Sequence, residues 1–205
     1  MGKSVVAAAI ARSRAAAGQT VAVFKPAVTG LDEPGEADHE LLRRAAGSDQ
    51  DDDSIAPYRY GPPASPHLAA ELAGERIDSA RLLTAARRAE SEADYLVCEG
   101  VGGLLVPLAP DYLVRDFARD LGLPLVVAAP PGLGTINHTL LTLEAARSAG
   151  LDVAMVVLTP WPDDPDQVQS SNRATLESLT GAPLAVLAQL DLADPAGWPA
   201  LDFPA

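Results

Sequence analysis

Short apolar segments alternate with alanine-rich or amphipathic segments along the whole chain. The apolar segments are continuous runs such as VAVF, LVVAA and MVVL, not alternations of apolar and polar residues. Continuous runs are typical of strands that are covered by helices on both faces, as in parallel sheets. The pattern therefore predicts an α/β fold with a doubly wound, mainly parallel sheet. Strands are predicted over residues 20–25, 94–99, 123–129, 151–158 and 183–189.

Helices are predicted between the strands from their capping signals. Gly18 and Gly47 stand where helix C-caps belong, and Ser65 precedes a proline at a first helical position. Asp78 and Asp111 are predicted N-caps of two further helices. The predicted helices span residues 5–17, 37–46, 66–73, 79–93, 112–122, 135–149 and 165–179.

The composition fits one globular domain and disfavours several classes of partner. Of 205 residues, 48% are hydrophobic and 21% charged, so we expect a single domain over residues 1–205, with 191–205 as a candidate loosely ordered tail. A formal net charge of -13 repels nucleic acid and anionic lipid, so neither nucleic acid nor a membrane is an expected partner. Cys98 is the only cysteine, and no apolar run approaches the roughly 18 residues of a membrane span. The prediction is a cytoplasmic protein.

Gly2-Lys3-Ser4 lies directly before a predicted helix. The tripeptide matches the end of a phosphate-binding loop, G-x-x-x-x-G-K-[ST], whose lysine pairs with phosphates and whose hydroxyl binds Mg²⁺. The helix N-terminus that follows would also favour anions. An ordinary helix start explains the same three residues, and the tripeptide taken alone favours that interpretation.

Lys25 and Glu99 each end a predicted strand, at the edge where open α/β sheets bind their ligands. Lys25 begins the segment KPAVTG, in which Thr29 and Gly30 add a hydroxyl and a flexible backbone; a surface lysine is the alternative. Glu99 begins EGVGG, and a carboxylate at the tip of a buried strand needs a metal or a cation. A simple glycine turn would leave this acid unexplained.

A third strand end, GLGTINH, leads into the helix predicted at Thr135. Thr135 or Asn137 could cap that helix, or the exposed amides could bind a carboxylate. His138 alone is more often a structural residue than a catalyst.

Taken in order, these segments resemble the dethiobiotin synthetase family. They are GKS, KPAVTG, Asp38 at the head of a D-x-x-x-L helix, SPH at residues 65–67, EGVGG and LGTINHTLLT. The resemblance extends over residues 2–190. It implies a P-loop NTPase-like fold, a homodimer, and an ATP- and Mg²⁺-dependent reaction. In that reaction CO₂, in equilibrium with bicarbonate, is joined to 7,8-diaminopelargonate, a ureido ring closes, and ADP and phosphate are released.

The resemblance also implies roles for individual residues. Lys3 and Lys25 would be catalytic, neutralising charge as a substrate carbamate attacks the γ-phosphorus. Ser4, Asp38 and Glu99 would hold Mg²⁺. The nucleotide would be bound by Gly2, Lys3, Ser4, Asp38, Glu99, Gly100, Val101, Gly102, Thr159 and Pro160. The substrate would be bound by Thr29 and, across the dimer interface, by Thr135, Ile136 and Asn137.

Two features depart from the family pattern. Where family members commonly carry an asparagine whose amide reads adenine, this chain has Thr159, followed by Pro160. Threonine lacks the paired donor and acceptor, so we expect relaxed base selectivity, with other nucleoside triphosphates accepted besides ATP. The phosphate-binding loop is also incomplete, with Met1 where the family has a valine, and we expect a longer natural protein with a strand and G-T-x-T-G upstream. A chain made as written would lack its central strand, and we expect it to be unstable or nearly inactive.

Three other interpretations stay open. An amide-forming ligase of the cobyrinic-acid-synthase kind is related by fold, but KPAVTG and SPH argue against it. A ParA/MinD-like positioning ATPase would need a membrane-binding tail or a basic DNA surface, and a net charge of -13 offers neither. A degenerate, inactive remnant is the third, because the phosphate-binding loop is incomplete.

Overall fold

The computed structural model describes residues 2–199, in which helices and strands alternate along the chain. The helices are α1 (Lys3–Ala16), α2 (Asp38–Ala46), α3 (Asp52–Ile55), α4 (Pro66–Leu72), α5 (Ser79–Ser91), α6 (Val114–Leu121), α7 (Thr135–Ser148), α8 (Gln167–Leu179) and a 3-10 turn (Pro195–Gly197). The strands are β1 (Val21–Phe24), β2 (Tyr95–Cys98), β3 (Pro107–Ala109), β4 (Tyr112–Leu113), β5 (Leu125–Ala129), β6 (Val153–Trp161) and β7 (Leu184–Ala188). Among the residues described, no helix combines the length and the apolarity needed to cross a membrane.

The parallel strands form two sheets that share one hydrophobic core. β1 pairs with β2, with Phe24 opposite Cys98, and β5, β6 and β7 form the second sheet in that order. α1 packs against strands of both sheets, and its buried residues form one cluster with Val97 of β2 and Val157 of β6. The predicted α/β fold with mainly parallel strands is thereby confirmed. No ladder joins β2 to β5 within the described part of the chain, and the central strand expected before α1 stays a prediction.

Small side chains let the first two helices approach closely. Ala8 and Ala11 of α1 are fully buried and lie on one face, three residues apart. They belong to the same buried cluster as Leu42 and Ala45 of α2, which packs against α1. Because only 4% of the residues are aromatic, close approach of helices replaces bulky rings in filling this part of the core. The packing fixes the α1 N-terminus relative to α2.

The predicted helix after Asp111 is wrong at its start. Tyr112 and Leu113 form β4, which pairs with β3 in an antiparallel hairpin, and α6 begins only at Val114. The Leu113 N–H donates to the Asp116 carboxylate at 3.0 Å, so Asp116 supplies the side chain that caps this helix. Asp111 lies in the two-residue turn between β3 and β4 instead of at a helix start, because aspartate favours tight turns as well as N-caps.

The segment 191–199 packs against the first two helices, although the sequence marked it as part of a candidate loosely ordered tail. The Trp198 ring is buried, and its Nε1 donates to the Asp191 carbonyl at 2.7 Å. Arg12 of α1 donates to the Pro195 carbonyl at 3.1 Å, and Arg44 of α2 to that of Leu192 at 2.7 Å. The rest of the expected tail, residues 200–205, lies outside the described residues.

Candidate active site

The carboxyl ends of β1 and β2 bring two charged side chains together. Lys25 follows the last residue of β1, and Glu99 follows the last residue of β2. The two strands are parallel and in register, and the Glu99 N–H donates to the Phe24 carbonyl at 2.9 Å. Both side chains therefore emerge at the same edge of the sheet, which is where open α/β sheets bind ligands.

Lys25 bridges two carboxylates. Its Nζ lies 2.8 Å from Glu99 Oε1 and 2.8 Å from Asp38 Oδ2, and Asp38 is the first residue of α2. Ser4, in the first turn of α1, completes the group: its Oγ lies 2.7 Å from Asp38 Oδ1 and 2.8 Å from Glu99 Oε1. A hydroxyl has one proton, so Ser4 donates to one carboxylate at a time. Four residues that are far apart in sequence thus form one polar cluster.

Burial makes this cluster electrostatically strong. The side chains of Lys25 and Glu99 are only 4% and 2% exposed, whereas that of Asp38 is 45% exposed. Burial lowers the pKa of Lys25, but the adjacent Glu99 and Asp38 carboxylates outweigh it, and the net pKa is raised. Partial burial raises the pKa of Asp38, yet Lys25 and Ser4 hold it below its usual value. Burial raises the pKa of Glu99 and outweighs the attraction of Lys25.

The oxygen atoms of this cluster fit a magnesium ion. Glu99 Oε2 is buried and has no hydrogen-bond partner among the described residues, which is costly for a carboxylate oxygen unless a cation or water meets it. Mg²⁺ prefers carboxylate and hydroxyl oxygens and is held by few protein ligands. No group of three His, Cys, Asp or Glu side chains suited to a metal occurs in the described part of the chain, so Ser4 would be the third oxygen donor.

The α1 N-terminus lies against the end of β6. Gly2 caps α1 with a φ of 74°, a conformation that favours glycine, and a Cβ at this position would overlap Cγ2 of Thr159. Thr159 is buried, Pro160 is exposed, and Lys3 is half-buried in the first turn of α1. The predicted nucleotide-binding residues of the two chain segments, GKS and Thr159-Pro160, are therefore neighbours.

Two of the three glycines after Glu99 are accounted for by packing within the chain. Gly102 has a φ of 65°, and a Cβ there would lie 2.8 Å from a methyl group of Val106. A Cβ at Gly100 would lie 3.2 Å from Val114 of α6, and Val101 is itself buried. The glycine turn therefore shapes the loop that carries Glu99, and the nucleotide-binding role of Gly100, Val101 and Gly102 stays a prediction.

The second predicted group lies at the N-terminus of α7. Gly134, with a φ of 91°, is the N-cap, so neither Thr135 nor Asn137 caps this helix. Thr135 is buried beside Thr139, with the two hydroxyl oxygens 3.5 Å apart, and its N–H donates to the Gly132 carbonyl at 3.3 Å. The first amides of a helix have no intrahelical acceptor, which leaves those of Ile136 and Asn137 available to an anion.

Thr29 lies close in sequence to the charged cluster, whereas the α7 group is separate from it. Thr29 is half-buried in the segment after Lys25, where Val28 exchanges hydrogen bonds with the 58–60 segment. No hydrogen bond or ion pair within residues 2–199 joins Thr135, Ile136 or Asn137 to the charged cluster. Each chain thus presents a cationic and acidic cluster at one place and free helix amides at another.

Two surface cavities and one buried amide were not predicted from the sequence. One cavity of about 420 Å³ lies at the ends of β6 and β7. It is lined by Trp161, Pro162, Asp163, Val186, Leu187, Ala188, Leu190 and Pro199. Another of about 520 Å³ lies beside α7. It is lined by Leu133, Gly134, Ile136, Asn137, Leu140, Leu141, Glu144 and Asn172.

The buried amide belongs to Asn172 of α8. Its Nδ2 donates to the carbonyls of Pro131 and Gly132, at 2.9 and 3.0 Å, in the loop that precedes α7. The available signal was position: Asn172 stands one turn before Leu176, and these two residues form the buried face of the helix.

Comparison with known proteins identifies the family. A family described as an AAA domain matches residues 1–200. The chain is 42% identical over 189 residues to ATP-dependent dethiobiotin synthetase BioD of Anaeromyxobacter dehalogenans (strain 2CP-1), covering 91% of this chain and 84% of the relative. The BioD proteins of Rhodococcus erythropolis and Bacillus subtilis (strain 168) are 39% and 32% identical, each over 90% of this chain and over 81% and 80% of the relative. The chain therefore belongs to the dethiobiotin synthetase family.

Proposed function

We propose that this member of the dethiobiotin synthetase family catalyses the ATP- and Mg²⁺-dependent carboxylation and ring closure of 7,8-diaminopelargonate. The observation that carries the proposal is the meeting of Lys25, Asp38, Glu99 and Ser4 beside the N-terminus of α1. Phosphoryl transfer depends on cations, a metal and helix amides that converge on one point. The identity to BioD relatives over nine-tenths of the chain supports the same reaction here.

The reaction needs no covalent bond to the enzyme. One amine of the substrate adds to CO₂ to form a carbamate, and a carbamate oxygen attacks the γ-phosphorus of ATP while ADP leaves. The second amine then attacks the carbonyl carbon of the mixed anhydride, phosphate departs, and the ureido ring closes. Every group in the phosphoryl-transfer step is negative, so the enzyme's task is to position the reactants and to supply positive charge.

The charged cluster supplies that positive charge. Mg²⁺, when held by Ser4, Asp38 and Glu99, would neutralise triphosphate oxygens. Lys3 and the first amides of α1 would bind the β- and γ-phosphates. Lys25, kept charged and fixed between two carboxylates, would stabilise the charge that develops on the transferred phosphoryl group.

The base of the nucleotide would lie toward the end of β6. Thr159 adjoins Gly2, and the cavity of about 420 Å³ begins two residues later, just after Pro160, at Trp161. A threonine side chain cannot read adenine through a paired donor and acceptor. We therefore propose that the chain accepts other nucleoside triphosphates besides ATP. Gly100, Val101 and Gly102 would border the nucleotide through the loop that carries Glu99.

A second copy of the chain would complete the substrate site. Leu133 is 96% exposed and Leu141 56%, and both line the apolar cavity of about 520 Å³ beside α7. Clustered exposed apolar side chains are typical of interaction sites, whereas singly scattered ones are ordinary surface. In the proposed homodimer, Thr29 of one protomer binds the carbamate region. In the other protomer, Thr135 begins the helix whose free amides, those of Ile136 and Asn137, form the site for the substrate carboxylate. We also propose a cytoplasmic location, where the lone cysteine stays reduced.

A coupled assay of ADP release tests the proposal, run on residues 1–205 and on a version extended by the upstream strand and loop that the family pattern predicts. We expect release that requires 7,8-diaminopelargonate, bicarbonate and Mg²⁺ together, and that is lost in the Lys25→Met variant. Release that needs neither the diamine nor bicarbonate would reject the synthetase in favour of a ParA-like ATPase. A folded protein with no activity under any of these conditions would favour the inactive remnant.

A further inference from the structure

The amide of Asn172 ties helix α8 to the loop that leads into α7. Both hydrogens of its Nδ2 are used, one on the Pro131 carbonyl at 2.9 Å and one on the Gly132 carbonyl at 3.0 Å. Asn172 as a whole is 8% exposed, so these bonds form where water competes weakly. Two bonds from one rigid amide fix both the distance and the orientation of the loop relative to α8.

An asparagine is an unusual choice for this position. It lies inside α8, where asparagine is less favourable than leucine or alanine, and on the stripe that buries Leu176 one turn later. A leucine here would suit both the helix and the core. Position 172 therefore carries a polar group whose contribution lies in the bonds that it makes to the loop.

The two hydrogen bonds of Asn172 to the loop, called the tether below, connect to the first amides of α7 through the Gly132 carbonyl. The Gly132 oxygen accepts from Asn172 and also from the Thr135 N–H, at 3.3 Å, the first residue of α7. Between them, Gly134 takes a φ of 91°, which only a glycine adopts readily. Asn172 also lines the same cavity as Ile136 and Asn137. A shift of the Gly132 carbonyl would thus rotate the start of α7 and redirect its free amides.

We propose that Asn172 is a positioning residue for the substrate. By holding the carbonyls of Pro131 and Gly132, it aims the amides of Ile136 and Asn137 at the substrate carboxylate. Asn172 touches neither the phosphates nor the reacting atoms, so its loss should weaken binding of the diamine and leave nucleotide binding unchanged. The proposal rests on the proposed function for the identity of the bound carboxylate, but not for the tether itself.

The test compares two changes of an amide to an acid on the same helix. Asn172→Asp keeps the shape of the side chain but removes both donors and turns carboxylate oxygens toward two carbonyls. Gln167→Glu, at the exposed start of α8, makes the same change in charge without touching the loop. Asn172→Ser is the second variant and covers the case in which Asn172→Asp does not fold: its shorter side chain cannot reach the two carbonyls, but it adds no charge beside them.

Two readouts are measured on the full chain. We expect Asn172→Asp to raise the KM for 7,8-diaminopelargonate about tenfold or more, with the KM for ATP within about twofold of wild type. The KM of Asn172→Ser for the diamine should fall between those of wild type and Asn172→Asp, and both KM values of Gln167→Glu should match wild type. Amide hydrogen exchange across residues 131–137 should accelerate in Asn172→Asp and stay unchanged in Gln167→Glu.

The outcomes separate this inference from the proposed function. If the wild-type chain turns over the diamine and Asn172→Asp lowers thermal stability without changing that KM, Asn172 is a structural residue and the inference is overturned. If the wild-type chain shows no diamine-dependent turnover, the proposed function fails. The exchange measurement then still tests whether Asn172 holds the loop in place, since unchanged hydrogen exchange across residues 131–137 in Asn172→Asp would contradict that claim.

Discussion

Replacing Lys25 by methionine should destabilise the fold by an amount set by Glu99. Methionine has a similar length and no charge, so the Glu99 carboxylate, 2% exposed, would lose its cation. Removing one partner of a buried ion pair costs about 3–5 kcal/mol. The second contact, to Asp38, adds at most about 1 kcal/mol because that side chain is 45% exposed. We therefore expect the free energy of unfolding to fall by about 3–5 kcal/mol.

A second substitution separates the ion pair from the lost packing. In the Lys25→Met background, Glu99→Gln removes the unpaired charge, so we expect it to recover about 1–3 kcal/mol. The measurement is a double-mutant cycle by urea unfolding at pH 8. Arg88→Met is the matched control: it breaks an ion pair with Glu92 whose side chains are 76% and 59% exposed, so the free energy of unfolding should change far less than in Lys25→Met.

The pH dependence of the same variant gives an independent check. Burial raises the pKa of Glu99 in the folded state, and loss of Lys25 raises it further. A group whose folded pKa is raised contributes stability that is present below its unfolded pKa and lost as pH rises through the folded value. The deficit of Lys25→Met relative to wild type should therefore shrink from pH 8 to pH 5.5. A deficit as small as that of Arg88→Met, or additive effects of Lys25→Met and Glu99→Gln, would refute the buried pair.

Three further predictions concern other parts of the molecule. Gly2→Ala should lower the free energy of unfolding by about 1–2 kcal/mol, because of its φ of 74°, and raise the KM for ATP, because the added Cβ displaces Thr159. Gly47→Ala is the control: with a φ of 62° and open space around it, it should show only the backbone cost in urea unfolding. Thr159→Asn should increase the preference for ATP over CTP and GTP, measured as kcat/KM; an unchanged ratio would contradict the role of Thr159 in base selection. Trp198→Ala should lower the free energy of unfolding by about 3 kcal/mol, because the ring is buried and its Nε1 donates a hydrogen bond. A loss below about 1 kcal/mol in urea unfolding would show that the segment 191–199 is loosely held.

The strand ends of the site were predictable because buried parallel strands are continuous apolar runs in the sequence. The continuous apolar runs before Lys25 and Glu99 placed both side chains at the same edge of a sheet, and the structure confirms this placement. The hydrogen bonds of Ser4 with Asp38 and Glu99 were not predictable in detail. They depend on how closely α1 and α2 approach, which is decided by packing of alanines over many contacts.

The errors and omissions have equally local causes. Asp111 looked like an N-cap, but aspartate is equally favoured in tight turns, and here it occupies the two-residue turn of the β3–β4 hairpin. Asn172 escaped notice because a polar residue in a helix is taken as exposed when only periodicity is considered. Its spacing from Leu176 indicates a buried position, but its bonding partners are carbonyls forty residues earlier in the chain, which no pattern within α8 reveals.

Incorporation of labelled bicarbonate into product tests the central claim most directly. The chain is incubated with ATP, Mg²⁺, 7,8-diaminopelargonate and ¹³C-bicarbonate, and the product is analysed by mass spectrometry. The proposed function predicts dethiobiotin that carries one ¹³C atom in its ureido carbonyl, with one ADP released per product and no product from Lys25→Met. ADP release without labelled product, or labelled product at wild-type rates from Lys25→Met, would contradict it.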